Sequence, residues 1–259
     1  MHKILFTSLA VFGLATAAHA APEKGQWSAR IMGGVDFPIG GKLHGGVNAL
    51  VADLGALNPD LEGVPATLAI QERGNRRIYN NGFGGSLELG YAVQDGAEIF
   101  GSLRYQRAGE GSLQVGEALV PALDATLPVN GTFDRLQVWT GELGYRQYFA
   151  TGAIQPYVAA RAGLSFTSGI NADFAVPDAA IALNDVPFYK SSVSATLGGD
   201  LGIAIPVAEK VDLNLETGIR WTSGLRGDDA ALAGLGLASI NNVGSRWDIP
   251  VRAGLTFRF

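Results

Sequence analysis

Side-chain character alternates along eight stretches of the chain: residues 26–37, 83–93, 97–106, 132–149, 154–166, 193–205, 211–221 and 249–259. In the last of these, Ile249, Val251, Ala253, Leu255, Phe257 and Phe259 share one face, and Arg252, Gly254, Thr256 and Arg258 share the other. A period of two predicts strands, and each stretch reaches the roughly 9 to 11 residues that a tilted strand needs to cross a hydrocarbon layer. Leu136 and Val138 fall out of phase with Trp139, which predicts either a bulge near there or a strand running above the membrane. Phe100 is an aromatic residue on an otherwise polar face.

The connections alternate in length. Residues 94–96, 150–152 and 206–210 are tight turns, whereas 38–82, 107–131, 169–191 and 223–246 are long. An even number of strands with this rhythm predicts an all-β fold: an eight-stranded antiparallel up-and-down transmembrane β-barrel with short periplasmic turns and long extracellular loops. A soluble barrel also alternates but turns its apolar face inward, so the two readings assign opposite insides. Aromatic residues favour lipid outside. Trp27, Tyr91, Tyr145, Phe149, Phe257 and Phe259 fall near one rim, and Phe37, Phe83, Tyr105, Phe133, Phe166 and Trp221 near the other, as two girdles.

On that reading the polar face encloses the lumen. It carries Arg30, Asp36, Glu88, Glu98, Arg104, Glu142, Arg146, Arg161, Asp200, Asp212, Glu216, Arg220, Arg252 and Arg258, in which acids and bases balance. Eight strands leave an interior that side chains can fill, so these charges are expected to form a paired, hydrated network in a narrow lumen. A general porin needs more strands.

The loops are unusually apolar. Leu43, Val47, Leu50, Val51, Leu54 and Leu57 are spaced like one face of a helix, which predicts a short amphipathic loop helix. Phe174, Val176, Ile181, Leu183, Val186 and Phe188, with Leu232, Leu235, Leu237 and Ile240, supply two more apolar loops that can pack over the barrel opening. Arg73, Arg76 and Arg77 form a small basic group suited to a solvated surface or to lipopolysaccharide phosphates.

The amino terminus predicts export. Met1 to Lys3 give a basic start, Ile4 to Ala18 an apolar stretch, and Ala18-His19-Ala20 a small-x-small cleavage site. Residues 1–20 are therefore expected to be a signal peptide and 21–259 the barrel domain, in the outer membrane. The chain has no cysteine and a net charge of -5, which excludes cysteine-based redox or metal chemistry and argues against a nucleic-acid partner. His44 is the single histidine after residue 20, with Asp53 its nearest downstream acid and no serine placed as a nucleophile. No catalysis, metal or cofactor is expected.

Gln155-Pro156-Tyr157-Val158 followed by Ala162-Gly163-Leu164, and the terminal Gly254-Leu255-Thr256-Phe257-Arg258-Phe259, resemble recurring strand patterns of the small eight-stranded outer-membrane barrels of the OmpA, OmpX and OmpW type. The resemblance covers 21–259 and implies insertion by the barrel assembly machinery, with Phe257 and Phe259 as the assembly signal. The protein is expected to be a monomer in contact with outer-membrane lipid and lipopolysaccharide. An OmpA-like periplasmic domain is not expected. A structural or surface-interaction role leads, with an OmpW-like channel for small or hydrophobic solutes as the alternative.

Overall fold

The computed structural model describes residues 21–259; the expected signal peptide lies outside them. Eight strands close into one barrel: β1 (Trp27–Gly40), β2 (Gly82–Gln94), β3 (Ala97–Ala108), β4 (Leu136–Tyr148), β5 (Gln155–Thr167), β6 (Ser192–Ala208), β7 (Val211–Thr222) and β8 (Arg246–Arg258). Each strand pairs antiparallel with the next, and β1 pairs with β8 to close the ring, so no barrel strand has a free edge. The leucines of one phase, among them Leu87, Leu103, Leu143, Leu164, Leu201 and Leu255, face outward, while the intervening polar residues are buried inside.

Close packing in the lumen depends on glycine opposite bulky residues. Gly202 pairs with Tyr157 across β5 and β6, and a side chain there would collide with the tyrosine ring. Gly198 pairs with Arg220, whose Cδ would lie 2.6 Å from an added Cβ. Small beside large is how a narrow barrel accommodates its contents.

The long connections are not irregular. They contribute a second, seven-stranded antiparallel sheet, in the order Arg226–Gly227, Ile181–Lys190, Ile170–Val176, Ala125–Phe133, Gly111–Val120, Ala66–Ile70, Val47–Val51. The segment around Ala233–Leu235 lies against Val47–Val51, and the Gly45 amide donates to the Ile240 carbonyl at 2.6 Å. The sheet and this closing segment form a cup whose inner face is apolar. The largest cluster of buried hydrophobic residues is here and not in the barrel.

Three expectations are corrected. No helix forms over 43–57; Lys42–His44 and Val47–Val51 are strands, the latter paired with Ala66–Ile70. Gly45-Gly46 interrupts any helix there, and Ala49 and Val51 alternate inward against the exposed Leu50. No bulge occurs near Val138, since β4 pairs with β3 in continuous register from Leu136 to Gln147. Val138 points inward in phase with Thr140, beside the buried Gln106 and Thr167, because an unbroken strand keeps its alternation. Phe133 is fully buried in the cup and not on the outer rim, because the cup strand ends at Phe133 and β4 begins only at Leu136.

Candidate functional site

Seven arginines (30, 104, 146, 161, 220, 252, 258) and seven carboxylates (36, 88, 98, 142, 200, 212, 216) project from the strands into the lumen, and all are buried. Arg146 on β4 reaches Glu88 on β2 at 2.7 Å and pairs closely with Glu98 on β3. Arg161 on β5 contacts Asp200 at 2.5 Å, Glu216 at 3.4 Å and Glu142 at 3.5 Å. Arg220 reaches Asp200 at 2.6 Å and Glu142 at 3.8 Å. Towards the cup, Asp36 accepts from Arg252 at 2.9 Å and lies 3.5 Å from Arg104; at the opposite end, Arg258 meets Asp212 at 2.6 Å.

Contacts cross the lumen as well as following its wall. Arg30 on β1 lies 3.7 Å from Glu88 and from Glu216 and 3.8 Å from Glu98, three acids on three different strands. Its guanidinium also donates to the hydroxyls of Tyr148 at 3.0 Å and Tyr157 at 3.3 Å, and β5 stands diametrically opposite β1 in the ring. Phe100, the aromatic residue on the polar face, lies under two guanidinium groups, Arg146 at 4.5 Å and Arg161 at 4.9 Å. Side chains from opposite walls thus meet in mid-lumen. In such a network each charge offsets its neighbours' desolvation, and removal of one member strands the rest.

Above this level the interior changes. Thr140 and Ser165 share a hydrogen bond at 2.9 Å, and Thr196 donates to the Trp221 carbonyl at 3.1 Å, while Arg104 beside Thr140 and Arg246 beside Thr222 still project inward. Tyr79 then donates to the Asp134 carbonyl at 2.8 Å and Tyr189 to the Leu43 carbonyl; burial raises both phenols well above their ordinary value. Beyond them apolar residues of the four long connections come together around one cavity, with His44 among them. Burial holds the His44 imidazole below its ordinary value of 6.5. Asp53 does not partner it: its carboxylate accepts from the Gly55 and Gly63 amides at 2.7 and 2.8 Å. Arg73 donates to the Gln114 carbonyl at 2.7 Å, tying two loops, while Arg76 and Arg77 are exposed.

On the outer surface lie Trp27, Phe37, Phe83, Tyr145, Phe149, Phe166, Phe257 and Phe259, with Tyr91, Tyr105 and Trp221 half-exposed. Trp27 contacts Tyr91 at one rim with ring centroids 5.0 Å apart, and Tyr105 contacts Trp139 at the other at 4.7 Å. Trp247, paired with Trp221, also belongs to this second rim. It stands two residues before Ile249, in the same phase, and extending the last strand by one repeat would have included it.

The strand pairing defines the class: a closed eight-stranded antiparallel barrel, apolar outside and ionic inside. Among solved structures the chain is similar to Neisserial surface protein A (14% identity, TM-score 0.40, covering 91% of this chain and 98% of the other). It is similar too to Ail of Yersinia pestis (13%, TM-score 0.37, 92% and 100%) and to the outer membrane protease OmpT from Escherichia coli (9%, TM-score 0.40, 95% and 99%). Similarity at this level carries no functional information, and the barrel assignment rests on the pairing itself. No protein-family model matches the sequence, and no curated protein matches it.

Proposed function

We propose that this is a non-enzymatic protein of the bacterial outer membrane, a plugged barrel that anchors the cup at the cell surface. The observation that carries the reading is the polarity of the barrel wall, with leucines outward and a balanced ionic network within. Trp247 and Phe257 mark the two rims and stand ten positions apart on β8. At ~3.3 Å per residue and a tilt of ~40° they are separated by roughly 25 Å, the height of the apolar band of an outer-membrane barrel. Lipid and lipopolysaccharide would be its surroundings, the barrel assembly machinery would insert it by its terminal aromatic strand, and the mature chain would begin near Ala21 and act as a monomer.

Contacts such as Arg30 to Tyr157 favour a plug over the alternative, a channel for small or hydrophobic solutes. The test has two parts. Membrane fractionation is expected to place the protein in the outer membrane as a species whose gel mobility shifts on heating. In planar lipid bilayers the purified protein is expected to give no reproducible conductance step. A steady conductance altered by Glu142→Gln or Arg146→Gln would replace the plug with a channel.

A further inference from the structure

The cavity of the cup has a volume of about 80 Å³. An apolar cavity of about 150 Å³ holds a benzene ring, so this one suits a smaller occupant, a short chain of about four carbons. Apart from His44, every residue lining it is aliphatic or aromatic, Val129, Phe174, Ile181, Phe188 and Leu237 among them.

His44 is only 2% exposed, with its ring stacked on Phe133 at 5.9 Å and edge-on to Phe188 at 6.3 Å. Its Nδ1 lies 2.9 Å from the Gly45 carbonyl oxygen, and its Nε2 is buried with no partner. A carbonyl oxygen can only accept, so Nδ1 carries the proton and Nε2 presents a lone pair. Burial, which disfavours the imidazolium, keeps this neutral tautomer at neutral pH. A buried acceptor without a donor is costly, and water is a poor remedy here, since an ordered water needs two to four polar partners and the lining offers one.

We propose that the cup binds a small, largely hydrocarbon molecule bearing one hydroxyl group, a short-chain alcohol, whose O–H donates to His44 Nε2. The apolar lining supplies affinity and the imidazole supplies selection for a donor. The inference stands on the cup alone and holds whether or not the barrel conducts.

Three probes of matched shape test it: 1-butanol, methyl propyl ether, whose oxygen can only accept, and pentane. Each is titrated against the folded protein in lipid nanodiscs while the backbone amide resonances of Val129 and Leu237 and, in the unaltered protein, the nitrogen resonances of the His44 ring are followed. The expected result is a saturable shift with 1-butanol at a Kd about tenfold below those of the other two, as one buried hydrogen bond warrants. Partition into lipid favours the less polar pair, so it cannot produce this order. His44→Phe should bring 1-butanol to the level of pentane, read from the Val129 and Leu237 amides, and Ala118→Phe, which fills the cavity, should abolish saturable binding of all three. Equal affinity for the three probes, no saturable shift at His44 in the unaltered protein, or binding undiminished in folded Ala118→Phe protein would each overturn the proposal. The comparison of probes needs no variant, so a failure of either variant to fold does not blunt it.

Discussion

The barrel and the cup are built from the same run of antiparallel hairpins, yet they are inside-out relative to one another. In the barrel, Leu143 faces out while Glu142 and Arg146 are enclosed; in the cup, Val129 and Phe133 are enclosed while Asn130 and Asp185 face out. The difference teaches that a strand's alternation records two surroundings without saying which is which. What each region must exclude decides the matter. On the proposed reading the barrel lies in lipid, which cannot hydrate a charge, so it hides its ions, whereas water drives hydrocarbon together, so the cup hides its aliphatic residues. Between them the interior is mixed: Val138 on β4 is buried beside Gln106, and Arg246 on β8 beside Thr222.

The contrast can be broken from either side. The largest effect is expected from Arg146→Ala, which leaves Glu88 without its closest arginine and Glu98 likewise in a buried lumen. Loss of one partner from such a network costs ~3–5 kcal/mol, to be read from urea unfolding of the lipid-embedded protein by gel mobility. In the cup the corresponding lesion is a void. Phe188→Ala removes a ring that packs on Phe133, Phe174 and Tyr189, at about 3 kcal/mol or somewhat more. Hydrogen exchange should then show the cup amides losing protection while those of β1 to β8 keep theirs.

A smaller gain comes from the turn Pro177–Ala179, which ends at Ala180 with φ 49°, a left-handed conformation that glycine adopts freely. Ala180→Gly is expected to stabilise this hairpin by about 0.5–1 kcal/mol, measured as added protection at Ile181 and Ala182.

The barrel was legible because its strands are long and of one period, and because tight turns separate them on one side. Its ion pairs were not. Arg252 is the register neighbour of Glu216 on β7, yet its close partner is Asp36 on β1. Which acid a guanidinium meets depends on the shear of the closed barrel and on side-chain reach, neither of which is local. The cup was hidden for a different reason. Leu127, Val129, Gly131 and Phe133 alternate with Thr126, Pro128, Asn130 and Thr132 as clearly as a barrel strand does, but Pro128 and the shortness of the run make it read as loop. Leu43, Val47, Leu50 and Leu54 fit a helical spacing by coincidence of i+3 and i+4 steps, while the pairing of Val47–Val51 with Ala66–Ile70 satisfies the backbone instead. His44 gave no sign of its place in a cavity, since the residues around it come from all four long connections.

Two leucines decide the central claim. Leu143 on the barrel and Leu50 on the cup are 75% and 72% exposed, so a protein surrounded by water throughout would treat them alike. Replacing each with arginine and measuring unfolding in lipid is expected to cost ~2–4 kcal/mol at Leu143, in the middle of the apolar band, and no more than about 0.5 kcal/mol at Leu50. Equal and small effects at both positions would contradict an acyl-chain environment for the barrel wall.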